Sequence, residues 1–383
     1  MKNQRIVASL ILCTYLVQLA IVPIVLAGPT GLSSSTPGVT FSGVGTPNVT
    51  ITSTAMASIV RAQGFNIAPN EVASIVQASN AAMLVHIGSV NPTSINGQLN
   101  AMGHMFLLNP NGILFGPNAQ VNAGGLVASS LHLSDENFLR GHYLFQGTGA
   151  EGSVKNAGSI HGASGVYLLA PNVENTGIIT SPKGNIVLAA GAKAFLSNRP
   201  DGQGFLAEIS NLVGHAVNLK DLIADGGNIT LAGRVVNQAG LIRADSVRER
   251  NGKIELLASE AVTLQDGSRT LARGGDEGMS NGGTIRAIAD LTSGTATFQK
   301  GAVVDVSGGK NGGNGGFAEV SGAAVRLGGQ FFGRTLTGFK GGRFLIDPTV
   351  STSSVGPTEF ASFEGSGASE VTFQSPAGSD LVV

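Results

Sequence analysis

The sequence predicts an all-β protein wound into a parallel β-helix, and three observations point there. Glycine is abundant: 56 Gly accompany 14 Pro among 383 residues. That is roughly twice the usual glycine share of about 7%, so the backbone must turn often. From about residue 150 onward, short units of alternating apolar residues recur between Gly and Asn. Before them, the segment LLNPNGILFGPNAQV over 107–121 turns twice around an apolar triplet. Hydrophobic residues make up 42% of the chain, enough to bury a core. Charged residues make up only 12%, with no basic block, which argues against a phosphate-binding surface and against nucleic acid as a partner.

The chain opens with Lys2 and Arg5, then a mostly apolar run from Ile6 to Leu26 that ends in Val25, Leu26 and Ala27. A basic head, a hydrophobic stretch and compact residues at the −3 and −1 sites are what a secretory signal peptide requires, here 1–27 with cleavage after Ala27. A membrane anchor is the alternative, because the run approaches the ~20 residues that span a bilayer. Pro23 and the exit Ala27-Gly28-Pro29 favour cleavage. The single cysteine, Cys13, leaves with this leader, and the mature chain keeps 21 basic and 24 acidic residues, a net charge of −3. An exported chain without disulfides draws its stability from backbone ladders and stacked apolar side chains.

Residues 70–85, NEVASIVQASNAAMLV, fit either helix or strand, since Val72, Ile75 and Val76 satisfy helical spacing. The twice-turned segment follows. Pro110 fixes the second position of a turn begun at Asn109, Asn111 tolerates the third, and the Asn109 side chain caps its own turn. Gly112 is suited to a special backbone angle. The strand residues Ile113, Leu114 and Phe115 then lead to a second corner at Gly116, Pro117 and Asn118. A strand so short suits one side of a coil, with a tight β-meander as the alternative. At 134–141, Ser134 is an N-cap, Asp135 and Glu136 place acids in the first turn, and Gly141 is a stop, so one or two helical turns are expected outside the coil.

Two repeated patterns follow. Asn156-Ala157-Gly158-Ser159-Ile160, Asn175-Thr176-Gly177-Ile178-Ile179 and Asn237-Gln238-Ala239-Gly240-Leu241 share Asn, then Gly, then an apolar residue. Units beginning at Gly184, Gly227, Gly252 and Gly283 read Gly-polar-apolar-polar-apolar, with starts 43, 25 and 31 residues apart. Alternation such as Ile229 with Leu231 places apolar side chains on one strand face. Three such strands and three corners consume about 20 residues, one coil of a parallel β-helix. Each coil needs a neighbour above and below to bury its apolar face. Residues 346–383, rich in Ser, Thr and Gly, form a tail or the start of further repeats.

Motifs for chemistry fail on context. Gly147-Thr148-Gly149-Ala150-Glu151-Gly152 matches a dinucleotide fingerprint but leads into a strand, so it reads as a loop. Gly278-Met279-Ser280-Asn281-Gly282 lacks the strand-turn-helix context of a nucleophile elbow and reads as a turn. In Gly312-Gly313-Asn314-Gly315-Gly316-Phe317, Phe317 stands where a calcium-liganding Asp is required. The six histidines (86, 104, 132, 142, 161 and 215) include no zinc pair, and His132 and His142 flank the outer helical turn as solvated residues. Asp221, Asp225, Asp245 and Glu249 are scattered among corners, with no two carboxylates placed for glycoside chemistry. No metal, cofactor or catalytic residue is expected.

Taken with the leader and the coil-forming body, GQLNAMGHMFLLNPNGILFGPNAQVNAGGLVASS resembles the filamentous haemagglutinin N-terminal family, the secretion (haemagglutination activity) domain of two-partner secretion exoproteins. Asn109, Pro110, Asn111, Gly112 and Ile113 match the family's N-P-N-G-I motif, and Phe115-Gly116-Pro117 and Val121-Asn122-Ala123-Gly124-Gly125-Leu126 continue it. Agreement runs from about Gly43 to Pro348. The family's other short motif, N-P-N-L, has only a loose echo in Ala170-Pro171-Asn172-Val173, and the Trp common in early strands of relatives is absent.

The resemblance implies a right-handed, single-stranded, pectin-lyase-like β-helix over 28–345, with an N-terminal β cap and short extra-helical elements. It implies export through the Sec pathway and across the outer membrane, with the five motif residues read by the POTRA domains of a dedicated outer-membrane transporter. It further implies a non-enzymatic exoprotein with a surface adhesive or haemagglutinin-like role toward a host-cell or surface glycan. The competing reading is a secreted β-helical polysaccharide lyase or hydrolase, since that fold hosts many such enzymes.

Overall fold

The computed structural model describes residues 28–148, 150–200, 204–248, 250–349, 360–374 and 381–382. The leader expected over 1–27 lies outside them. Apolar side chains alternate with polar ones along most strands, many of them only three to six residues long, so such a strand buries one face only, whereas Gly165–Ala170 on the third face is buried on both. The chain solves this by winding, and successive windings stack as parallel strands on three faces. On the first face Thr93–Ile95, Ile113–Phe115, Val154–Asn156, Val173–Asn175 and His215–Asn218 lie in register. On the second, 120–123 pairs with Ser159–Gly162, which continues through Ile178–Thr180, Asp221–Ile223 and Leu241–Arg243. On the third, 126–129 pairs with Gly165–Ala170, then come 185–190, 228–233 and 253–258. The architecture is a β-helix, almost without α-helix.

Inward residues from all three faces form one continuous core, with Ile113, Phe115, Val121, Leu126, Val154, Ile160 and Val166 at no more than 2% exposure. At one end, Val39–Ser42 runs antiparallel to Asn48–Ser53, and Leu32, Val39 and Phe41 cover the first coil. At the other, Phe298, Phe331 and Phe363 stack with ring centroids 5.2 and 4.7 Å apart. Glu370–Phe373 adds a parallel rung on 343–346, so stacking extends past residue 345.

Residues 70–85 resolve into strand: Val72–Val76 and Ala82–Ile87 sit on different faces, joined by a turn closed by the Ala81 amide on the Ala78 carbonyl at 2.9 Å. The helical spacing of Val72, Ile75 and Val76 is coincidental, because neighbouring coils supply ladder partners on both sides. The short helix forms as Asp135–Leu139, capped by Ser134 and ended before Gly141 at φ +69°. It belongs to an outer layer on the third face. Asn185–Asn198 runs out of the coil and pairs antiparallel with Tyr143–Gln146 on one side and Phe205–Leu212 on the other. Phe106, Phe138, Tyr143 and Phe145 pack there against Tyr167 and Phe205.

The units at Gly184, Gly227, Gly252 and Gly283 stack in register as read, Asn185 over Asn228, Lys253 and Thr284. The Asn pattern needs a correction. Asn156 and Asn175 lie one above the other, but the next rungs are Asn218 and Gln238. Asn237 is one residue out of phase and half-exposed, whereas the longer Gln238 side chain carries its amide inward. Their buried amides form a ladder: Asn156 Nδ2 donates to Asn175 Oδ1, Asn175 Nδ2 to Asn218 Oδ1, and Asn218 Nδ2 to Gln238 Oε1, each at 2.8 Å.

Candidate functional site

The segment 109–118 makes the two expected turns. The Gly112 amide donates to the Asn109 carbonyl and the Ala119 amide to the Gly116 carbonyl, both at 2.9 Å. Ile113–Phe115 lies between them on the first face, with Ile113 and Phe115 buried and Leu114 39% exposed.

Asn109 is fully buried and anchors the first turn. Its Oδ1 accepts from the Asn111 amide at 2.9 Å, which caps the turn. Its Nδ2 donates to the Asn91 carbonyl at 3.0 Å and to Thr93 Oγ1 at 2.9 Å, which ties the turn to the coil below. The Asn111 side chain also reaches down, donating to the Ser89 carbonyl at 2.8 Å, but the residue stays exposed. Gly112 sits at φ +104°, and a Cβ there would lie 2.7 Å from the Ser153 carbonyl oxygen, so any side chain is both strained and crowded. The Ile113 amide donates to that same oxygen at 3.0 Å.

The five motif residues thus divide. Asn109, Gly112 and Ile113 are buried and shape the corner, while Pro110 and Asn111 stand in solvent. With Leu114, Pro117 and Asn118 they make a short exposed strip on a backbone fixed from below and above. Pro117 and Asn118 also line a groove of about 590 Å³ with Pro69, Asn70, Thr176 and Lys220. Ala170-Pro171-Asn172-Val173 turns at the corresponding corner between third and first faces, where Asn172 Oδ1 accepts from the His215 amide at 3.0 Å.

Other flagged residues fall elsewhere. His132 and His142 are exposed beside the helix, the first stacked on His86 and the second tilted against the Phe195 ring. Among the described residues no three His, Cys, Asp or Glu side chains are placed to hold a metal. Asp225 and Asp245, read as scattered, come together at the corner between second and third faces. There Arg243 and Arg273 pair with them, a relationship hidden by separations of 18 and 28 residues. Asp221 lies on a strand of the second face, and Glu249 is outside the described residues.

A capped column of parallel coils with N-P-N-G-I at one corner is the form of an exoprotein secretion domain. The model of the TPS secretion domain family matches residues 31–320, and the chain belongs to that family, the secretion domain of two-partner secretion exoproteins. It is similar to the heme/hemopexin-binding protein of Haemophilus influenzae, with 28% identity over 215 residues, 51% of this chain and 23% of that protein. The chain therefore spans under a quarter of that relative's length. Its fold is similar to the crystal structure of the HMW1 secretion domain from Haemophilus influenzae, with a TM-score of 0.67, 25% identity, and coverage of 83% of this chain and 94% of that one.

Proposed function

We propose that this chain is exported by a dedicated outer-membrane transporter whose POTRA domains read the exposed strip of Pro110, Asn111, Leu114, Pro117 and Asn118, with 28–345 acting as the secretion domain. The leader 1–27 directs the chain through the Sec pathway and is cleaved after Ala27. The product is a non-enzymatic exoprotein, extracellular or cell-surface, that adheres to a surface glycan. Membership of the TPS secretion domain family carries this reading, and the division of the motif supports it. Buried Asn109, Gly112 and Ile113 hold the corner while Pro110 and Asn111 remain open to a partner. The relatives, a secretion domain and a heme/hemopexin-binding protein, favour binding over catalysis. Three carboxylates of the charged cleft between second and third faces, those of Asp225, Asp245 and Asp276, are tied to cations, whereas glycoside chemistry needs two carboxylates in complementary roles.

The test is secretion with the cognate transporter co-expressed. Asn111→Ala with Leu114→Ser leaves the corner intact and should cut the amount released into the medium about tenfold. The purified variant should keep its unfolding midpoint. Undiminished release would remove the strip from the recognition surface.

A further inference from the structure

The corner between second and third faces changes character along the column. Between Asp221–Ile223 and Asn228–Gln238 the connection is short, but between Arg269–Leu271 and Thr284–Ile288 and between Val303–Asp305 and Phe317–Gly322 it becomes a long glycine-rich loop. The loops stack on one another: the Gly274 amide donates to the Ser307 carbonyl and the Gly309 amide to the Ser280 carbonyl, both at 2.8 Å. Beside them opens a cleft of about 430 Å³, within the range of small-ligand sites.

Its charges are prearranged. Arg243 forks onto Asp225 with contacts of 3.0 and 2.6 Å, and Arg273 onto Asp245 with contacts of 3.3 and 2.7 Å. Each carboxylate also accepts the backbone amide of the next coil, Asp245 at 3.1 Å for Asp225 and Arg273 at 2.8 Å for Asp245. Each guanidinium spends two of its N–H groups on its carboxylate, and among the described residues no other side-chain bond holds the rest, which sit on a rigid mount. Lys310 pairs with Asp276 at 2.8 Å. That leaves Arg248 and Glu277 as lining charges with no ion pair among the described residues. Arg248 sits at φ +55°, in a turn closed by mutual hydrogen bonds of Val247 and Arg250 at 2.9 and 3.0 Å. A long side chain in the left-handed region is costly, and such strain concentrates at functional positions.

The lining selects its ligand by exclusion. A polyanion meets as many acids as bases there and gains nothing from net charge. A nucleobase has no aromatic ring to stack on, and a lipid finds only Val247 as an apolar side chain. Vicinal hydroxyls, by contrast, accept from a guanidinium and donate to the carboxylate beside it, and a single carboxylate would engage Arg248. We infer that this cleft binds a pyranose bearing one carboxylate, with Arg248 on the carboxylate and the Arg243–Asp225 and Arg273–Asp245 pairs on the ring hydroxyls. The inference rests on the adhesive reading above and assigns it a place. The sugar comes from a uronic acid of a polysaccharide or from a nonulosonic acid of a cell-surface glycan, two sources that share this chemistry.

The test titrates the full mature chain with a glucuronate disaccharide, N-acetylneuraminate and cellobiose, read by calorimetry. Either acidic sugar should bind about tenfold more tightly than the neutral one, and the tighter of the two identifies the source. Arg248→Asn tolerates the left-handed turn and should abolish the preference, while Glu277→Gln should strengthen acidic-sugar binding. Equal affinities for acidic and neutral sugars, no detectable binding, or an Arg248→Asn variant that binds as well as the parent would each overturn the site. Attachment of the mature chain to glycan-bearing cells, measured alongside, separates the two readings: Arg248→Asn with normal attachment overturns only this cleft, and a parent chain that does not attach overturns adhesion.

Discussion

Asn175 Nδ2 donates to Asn218 Oδ1 at 2.8 Å across 43 residues of sequence. The outer excursion that carries Phe205–Leu212 lies between them, yet the rung spacing is unaffected, because the chain leaves and re-enters the coil at a corner. The ladder is a chain of buried amides in which each link satisfies the next.

Breaking one link orphans its neighbours. Asn218→Ala removes the acceptor of Asn175 and the donor to Gln238, and should lower stability by about 2–3 kcal/mol. Asn237→Ala, one residue out of phase, should stay within about 0.5 kcal/mol. Urea unfolding midpoints of the two variants check this, and equal effects would contradict the register.

The motif corner should separate stability from export. Asn109→Ala strips a buried turn of its cap and of two bonds to the coil below, a loss of about 2 kcal/mol. Gly112→Ala places a side chain at φ +104° against the Ser153 carbonyl and should cost about 1–3 kcal/mol. Asn111→Ala gives up one exposed side-chain bond and should cost well under about 1 kcal/mol. Thermal melts of the three purified chains rank them.

Stability should fall on mild acidification. Burial holds His104 below its ordinary value of 6.5, its ring lying 5.3 Å from Phe205 with Nδ1 unpartnered. Burial likewise lowers His86, outweighing its hydrogen bond to Asp135. A histidine with a depressed folded value binds its proton more readily in the unfolded chain. Its contribution is therefore complete above the ordinary value and is lost as pH drops through and below it. Unfolding midpoints between about pH 7.5 and about pH 5.5 should decline, and less steeply in His104→Gln; parallel slopes would show that His104 is not responsible.

A buried hydroxyl helps to pin the outer layer. Tyr167 donates to the Phe205 carbonyl at 2.8 Å and accepts from the Phe205 amide at 2.7 Å. Tyr167→Phe should cost about 1–3 kcal/mol, and amide hydrogen exchange should quicken first along Phe205–Leu212. Uniform acceleration across the coils would mean that the layer does not open independently.

The backbone logic was legible because turn chemistry is local. Pro110, Asn111 and Gly112 declare their turn, Ser134 and Gly141 bracket their helix, and the Gly-polar-apolar units announce strands that stack in register. Side-chain ladders were not legible. Asn218 is followed by Leu219 and Lys220 rather than by the glycine that marks Asn156 and Asn175, and Gln238 holds the place that spacing gave to Asn237. The pairing of Arg243 with Asp225 and of Arg273 with Asp245 depends on loops of unequal length, which no fixed period reports. In the motif, residue type identified the segment, but only burial divided Asn109 from Asn111.

The cluster of Phe106, Tyr143, Phe145, Tyr167 and Phe205 fastens several successive windings with one knot of rings. A column held only by its neighbours would peel like thread from a spool when pulled at either end. Here the peeling would meet rings from several windings holding one another, so a chain that has wound this far resists being drawn back.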